Sequence, residues 1–253
     1  MKPYYEHAGV TIYHGDCLEV LPSMPTRSFD HVITDPPYEA EAHTKARRQR
    51  SNGVVGVLTI GFDAMSSEVR AAVGHEFCRL SRGWVLVFCQ VEAAMLWREA
   101  MPSAKYIRTQ VWVKPDSAPQ FTGDRPAMGY ESIVTSWAGG CRPSWNGGGR
   151  RGVYEHLVGV NGGGRNPHPT MKPEPLMAEL VALFTKGGET ILDPFMGSGT
   201  TLVSAKRLGR KAIGIEREEK YCEIAARRLQ QDALPMLLDE SAPSQTPINL
   251  EVA

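Results

Sequence analysis

TILDPFMGSGTT, residues 190–201, reads as a strand, a glycine turn and the first turn of a helix, and KAIGIE at 211–216 follows as a second strand ending in an acid. Gly197 and Gly199 permit close approach of a ligand to the backbone, and Ser198 or Thr200 can cap the helix. Glu216 stands 17 residues past Gly199, where an acid accepts hydrogen bonds from ribose hydroxyls. The pattern is that of a nucleoside site. It is not a phosphate loop, because no Lys-Ser/Thr pair closes it, and Leu202 replaces the third glycine of a dinucleotide fingerprint. Two glycines after a strand fit a plain structural turn equally well, so the weight falls on the surrounding chain.

Outward from this unit, short β-branched runs alternate with longer amphipathic segments, which predicts an α/β fold with a mostly parallel sheet and helices on both faces. Strands are expected at Val10–Tyr13, His31–Thr34, Trp84–Cys89, Ile107–Val113, Ser132–Trp137, Thr190–Leu192 and Lys211–Ile215. Apolar residues recur at three and four over Ser66–Leu80, Val91–Met101, Pro173–Thr185, Thr200–Leu208 and Glu218–Gln230, which predicts helices there. Residues 39–63, 114–130 and 138–169 break the pattern, being long, rich in Gly, Pro and Arg, and too polar for a core. Loops of this length in a compact domain are usually functional. The two NGGGR copies at 146–150 and 161–165 read as flexible arms.

The chain has 253 residues, with 42% hydrophobic and 22% charged, the profile of a globular protein rather than a disordered or fibrous one. One catalytic domain over 1–230 is expected, with inserts at 39–63 and 138–167 and an acidic, disordered tail at 231–253. Basic and acidic residues balance at 28 each, but four acids and no Lys or Arg fall in 232–253, leaving a net +4 in residues 1–231. That bias and the arginine-rich loops keep a nucleic-acid partner open. No apolar run reaches the ~20 residues that span a bilayer, and charges fill the first residues, so a cytosolic protein with no membrane partner is expected. Five scattered cysteines without a CxxC pair suggest reduced thiols rather than disulfides or zinc.

Asp35-Pro36-Pro37-Tyr38 directly follows the strand His31–Thr34, at the strand end where open α/β sheets bind ligands. A conjugated exocyclic amine on a base is a poor nucleophile. The Asp35 carboxylate and the Pro36 carbonyl can each accept one N–H bond, localising the lone pair. Pro36 and Pro37 hold that geometry, and Tyr38 offers a stacking face worth about 1–3 kcal/mol per base. The plain alternative is a strand ending in a Pro-Pro turn. Upstream of the glycine turn, His168-Pro-Thr-Met-Lys-Pro173 opens a helix, and Thr170 and Lys172 can pair with a ligand carboxylate.

Together DPPY, HPTMKP and DPFMGSGTT resemble the β class of S-adenosylmethionine-dependent DNA amino-methyltransferases, over about residues 8–230 and with the catalytic motif ahead of the cofactor motif. The resemblance implies a class I methyltransferase fold of seven strands with one reversed, in permuted motif order. It implies that Asp193, Phe195, Gly197, Ser198, Gly199, Thr200, Thr170, Lys172, Asp35 and Glu216 line the cofactor pocket, with Asp16 near the adenine and Cys17 adding backbone contacts. Val111–Pro115 and Tyr130–Ser132 match the family's later strands, beyond which a target-recognition insert is expected. Here it is short, and residues 39–63 share its task. Double-stranded DNA, a homodimer and base flipping follow from the same likeness. Arg47, Arg48 and Arg50 would contact phosphate, and Arg142, Arg150, Arg151 and Arg165 would include a base reader.

Within such enzymes DPPY favours the 6-amino group of adenine, and Ser at the first position is more often found for cytosine. Cytosine carbon 5 is argued against by the lack of a Pro-Cys dipeptide, and zinc deamination by the lack of its ligands; no metal is implied. The remaining alternatives are an amino-methyltransferase acting on cytosine, RNA or protein glutamine, and a regulator binding DNA without turnover. A nicotinamide oxidoreductase is disfavoured by Leu202 and DPPY.

Overall fold

The computed structural model describes residues 2–37, 65–121, 123–158 and 171–231, together with the backbone of 48–51 and 54–57. The strands are β1 (Tyr5–His7), β2 (Val10–His14), β3 (His31–Thr34), β4 (Arg48–Ser51), β5 (Val54–Val57), β6 (Trp84–Cys89), β7 (Lys105–Val113), β8 (Tyr130–Trp137), β9 (Val153–Glu155), β10 (Thr190–Asp193) and β11 (Lys211–Glu216). The helices are α1 (Cys17–Val20), α2 (Ser67–Leu80), α3 (Ala94–Ala100), α4 (Glu174–Phe184), α5 (Thr200–Arg207) and α6 (Glu219–Gln230). No helix among the described residues is long and apolar enough to cross a membrane.

Nine strands form one sheet in the order β1-β2-β11-β10-β3-β6-β8-β7-β9. β2, β11, β10, β3 and β6 are mutually parallel, and β7 is parallel to β9. β8 runs against both β6 and β7, and β1 against β2. The expectation of seven strands with one reversed is therefore corrected to nine with two reversed. The additions are three-residue edge strands of mixed polarity, Tyr5-Glu-His7 and Val153-Tyr-Glu155, too short to show a period of two.

Alternation along the central strands divides the core. In β6, Trp84, Leu86 and Phe88 face the layer that holds Leu176, Leu180, Leu202 and Leu229 from α4, α5 and α6. Val85, Val87 and Cys89 face Val20, Phe77 and Trp97 from α1, α2 and α3. Both faces are thus covered, which is why β6 is buried at all six positions. Burying each such side chain contributes roughly 1.5–3 kcal/mol.

Two expected loops have more order than their composition suggests. Within 39–63, β4 and β5 pair as an antiparallel hairpin. The first NGGGR copy is docked rather than a free arm. Trp145 packs edge-on against Phe184 at 4.9 Å, and the Asn146 side chain donates to the carbonyls of Ala182 and Thr185 at the end of α4, both at 2.9 Å. Those carbonyls have no partner within the helix, so Asn146 replaces water there. The second copy, 161–165, and the tail 232–253 lie outside the described residues.

Candidate active site

The parallel strands β2, β3, β10 and β11 all end on one side of the sheet, which gathers Asp16, Asp35, Asp193 and Glu216 there from distant parts of the chain. Because β8 is reversed, its first residues, Tyr130 and Glu131, lie at the same side, opposite Val113 and Trp112 at the end of β7.

Asp193 is buried, and burial pushes its carboxyl up to about 6 against hydrogen bonds from Thr201, Thr34 and the Phe195 backbone. Thr34 donates to its Oδ1 at 2.7 Å and the Phe195 N–H to the same oxygen at 3.2 Å. The acid therefore fixes the turn that begins Asp-Pro-Phe. Asp35, one residue past Thr34, has two unlike oxygens. Its Oδ2 accepts from Lys172 Nζ at 2.6 Å, whereas its Oδ1 is buried with no hydrogen-bond partner among the described residues. Burial pushes the Asp35 carboxyl above its ordinary value, Lys172 and Lys114 pull it down, and Glu131 adds to the rise.

Lys172 also reaches Glu131 Oε2 at 3.1 Å, and Lys114 pairs with Glu131 Oε1. The Phe88 ring lies 5.1 Å from the Lys172 ammonium. Burial alone would lower the Lys172 pKa, but Asp35 and Glu131 outweigh it and hold it above the ordinary lysine value. Its ammonium is thus engaged by two protein carboxylates, where the sequence suggested a ligand carboxylate. Glu131 and Lys114 entered the sequence reading only as parts of strands; an acid and a lysine flanking two apolar strands carried no chemical signal.

The glycine turn is built for close approach. Gly197 and Gly199 sit at φ 50° and 79°, a left-handed conformation that costs other residues roughly 1–2 kcal/mol. A Cβ on Gly199 would also stand 2.8 Å from the Ala225 Cβ of α6. Gly199 is the N-cap of α5 and no side chain caps that helix, which corrects the expectation for Ser198 and Thr200. Instead Arg228 Nη1 donates to the Ser198 carbonyl at 2.6 Å and to Thr200 Oγ1 at 3.2 Å. The periodicity of α6 placed Arg228 on the apolar stripe, and its head group fastens the turn; burial pushes its pKa down to about 10, with Arg207 adding to the effect.

Glu216 ends β11, its Oε2 accepting from the Gly197 N–H at 3.0 Å and its Oε1 from the Glu218 N–H at 2.8 Å. Burial raises its pKa against these bonds. The neighbouring end of β2 is stitched on by Gly15 N–H to the Glu216 carbonyl at 3.0 Å. There half-buried Asp16 caps α1 by accepting from Leu18 N–H at 2.8 Å, and the adjacent Cys17 is buried, its thiol pushed up to about 12 by burial and by Asp16. Phe195 packs partly buried against the α1–α3 side of the core.

Pro36 and Pro37 follow Asp35 outside any regular element, whereas Tyr38, Arg47, Arg165 and Thr170 lie outside the described residues, and Arg48 and Arg50 are placed by backbone only, in β4. Arg142 falls elsewhere. Trp137 Nε1 donates to the Cys141 carbonyl at 2.7 Å, and Trp84 Nε1 to the Ser144 carbonyl, which puts exposed Arg142 near the start of β6, at the opposite end of the sheet from Asp35. Arg150 pairs with Glu179 of α4 at 3.3 Å, and Arg151 is exposed beside it, before β9.

Residues 29–227 match the N6_N4_Mtase family model, described as a DNA methylase. Among curated proteins, the type II methyltransferase M2.LlaDCHI of Lactococcus lactis subsp. cremoris is 30% identical over 92% of this chain and 93% of its own length. M2.DpnII of Streptococcus pneumoniae is 30% identical over 91% and 93%, and M.HinfI of Haemophilus influenzae 27% over 87% and 68%. Among solved structures, the M1.HpyAVI–SAM complex aligns with TM-score 0.66 at 23% identity, over 88% of this chain and 100% of that one. The cytosine-N4-specific PvuII DNA methyltransferase aligns with TM-score 0.71 at 18% identity, over 92% and 90%. Both share the fold.

Proposed function

The chain belongs to the N6_N4_Mtase family of DNA methylases, and from that premise we propose that it methylates the 6-amino group of adenine in double-stranded DNA. The observation that carries this reading is Asp35 Oδ1, a buried carboxylate oxygen without a partner among the described residues, at the carboxyl end of β3. An N–H donor arriving there would satisfy a group that otherwise costs roughly 1–3 kcal/mol to leave unpaired.

S-adenosylmethionine, when bound, supplies a methyl group made electrophilic by its sulfonium sulfur. The residues present fit such a cofactor: Gly197 and Gly199 hold the turn left-handed, and Glu216 stands at the next strand end. The proposal also assigns Asp193, Phe195, Ser198, Thr200, Asp16, Cys17 and Thr170 to the cofactor. Asp35 Oδ1 and the Pro36 carbonyl each accept a hydrogen bond from one amine N–H, turning the nitrogen lone pair toward the methyl. The carboxylate also stabilises the positive charge that grows on that nitrogen, and the methylated nitrogen is acidic enough to release its proton to water. Tyr38 stacks on the extruded base and, with these bonds, offsets the few kcal/mol of unstacking.

Arg47, Arg48, Arg50 and Arg165 are the DNA contacts of this proposal, since Arg47 to Arg50 follow the catalytic motif by only a dozen residues. Arg142, by its position, and Arg150, by its pairing with Glu179, are set aside as contacts near the target base, and Arg151 is kept as a candidate DNA contact. A homodimer suits the short recognition insert, and light scattering at twice the 27.8 kDa chain mass checks it.

DNA from a host expressing the chain, hydrolysed to nucleosides for mass spectrometry and read by single-molecule sequencing against an empty-vector control, tests the reading. N6-methyladenine in a fixed context is expected. N4-methylcytosine would overturn the choice of base, and no modified base would overturn the enzyme reading.

A further inference from the structure

Three charges in the cluster beside Asp35, those of Lys172, Glu131 and Lys114, take no part in the chemistry above. Lys114 follows β7, Glu131 lies on β8, Lys172 precedes α4 and Asp35 follows β3, so a row of alternating charge crosses three strand ends. The row is neutral overall. The side chains of Lys172 and Glu131 retain 7% and 11% of their exposure, so neither ion is held by water. A buried charge survives only where its partners are fixed, and breaking one such pair leaves the other charge uncompensated.

The Lys172–Asp35 bond has a geometric consequence for the carboxylate. A free Asp side chain presents two equivalent oxygens and turns about its terminal torsion. With Oδ2 held at 2.6 Å by an ammonium that is itself braced on Glu131 at 3.1 Å, the carboxylate plane is set and Oδ1 alone remains to accept. Lys172 cannot swing away without abandoning two acids, and the Phe88 ring at 5.1 Å supports the ammonium from β6.

We propose that Lys172, braced by the Glu131–Lys114 pair, is a positioning residue that clamps Asp35 Oδ2 so that Oδ1 is presented to the substrate amine. This inference rests on the methyltransferase reading. It also assigns Lys172 to the catalytic carboxylate instead of to a cofactor carboxylate. The charged groups facing Asp35 are Lys172, Glu131, Lys114 and, from β10, Asp193. Lys172 is the cation in contact with it. Its loss leaves Asp35 among acids with Lys114 as the remaining cation, so Asp35 takes up a proton at higher pH.

The test compares wild type with Lys172→Met, Lys172→Arg and the double variant Lys172→Met/Glu131→Gln, which removes a charge pair together in case the single variant does not fold. Single-turnover methyl transfer is measured from pH 5.5 to 9, with cofactor affinity by calorimetry. For Lys172→Met and for the double variant, transfer is expected to fall by about 100-fold or more, in line with loss of one preorganised electrostatic contact. Cofactor affinity stays within about threefold, and the acid limb of the profile moves up by about one unit or more. Lys172→Arg restores a large part of the rate. A cofactor affinity that collapses while transfer at saturation survives would overturn the clamp in favour of a cofactor role. An unchanged acid limb with intact transfer in the folded double variant would overturn it outright. Wild-type chain that methylates no DNA would instead sink the underlying reading.

Discussion

Thr34 donates its hydroxyl to Asp193 at 2.7 Å, binding the strand that carries Asp35 to the strand that carries the glycine turn, across 159 positions of sequence. The bond is buried, so its net worth of roughly 0.5–1.5 kcal/mol understates its effect. It fixes the spacing between the group meant for the substrate amine and the turn meant for the cofactor.

Asp35→Ala is expected to reduce methyl transfer by about 10²-fold or more, the scale of losing one preorganised electrostatic contact. Cofactor affinity stays nearly intact, because the turn at 193–199 is held by Thr34, Glu216 and Arg228 rather than by Asp35. Calorimetric titration beside a tritium-transfer assay separates the two. Collapse of both together would show that Asp35 belongs to the cofactor pocket.

Glu216→Ala should weaken cofactor binding by about 1–3 kcal/mol, the range for hydrogen bonds to a charged acceptor. The structure adds a second expectation. Glu216 accepts the N–H groups of Gly197 and Glu218, so the alanine variant also melts earlier. Glu216→Gln keeps a carbonyl acceptor for one of those N–H groups and is expected to recover most of the melting temperature. An unchanged Michaelis constant for cofactor in both variants would remove the ribose role.

Asp193 makes a prediction about pH. Its carboxyl lies at about 6 in the fold against 3.8 in a free side chain. The folded state therefore binds its proton more tightly, and this group's contribution to stability is full below pH 3.8 and is lost as pH rises through 6. Two units correspond to a cost on the order of 3 kcal/mol at neutral pH. Asp193→Asn keeps an acceptor for Thr34 and Phe195 without the charge. The melting temperature of the variant minus that of wild type should therefore increase between pH 4 and pH 7. A flat difference would mean that Asp193 is ordinarily acidic.

Replacing Arg47, Arg48 and Arg50 by Ala is expected to weaken binding to all DNA sequences and to flatten the salt dependence by nearly one unit of slope per lost phosphate contact. Arg150→Ala, which leaves Glu179 paired with His156, should leave the methylated motif unchanged. Filter binding across salt concentrations and sequencing of methylated DNA report both. A relaxed motif in Arg150→Ala would return that residue to DNA recognition.

The strands legible in the sequence are those whose two faces are both buried, such as Trp84–Cys89, where an unbroken apolar run leaves little else to read. The edges were not legible, since β1 and β9 each contribute three residues and take their order from a neighbour. Asn52-Gly53, between the runs at 48–51 and 54–57, was a usable hairpin signal that the surrounding arginines masked. In the site, Asp35, Asp193 and Glu216 could be placed because each ends a strand. Lys172 is legible as a functional lysine, but its protein partners are not, because those acids lie 41 and 137 positions away and only the reversed β8 brings Glu131 to the same side. Arg228 was hidden by its long apolar stem, which satisfies the helical stripe while the head group reaches past it.

The strand order also sets when activity can begin during synthesis. β1 and β2 emerge from the ribosome first, and β3, β6, β7 and β8 can assemble next, but nothing joins the two groups until β10 and β11 insert between β2 and β3. At about 5–20 residues per second, Asp35 waits on the order of ten to thirty seconds for Asp193 to be made. A chain abandoned in that interval holds the catalytic motif on an unpaired strand edge and has no cofactor turn at all. Incomplete products thus lack the glycine turn, and their open strand edges invite pairing with other chains.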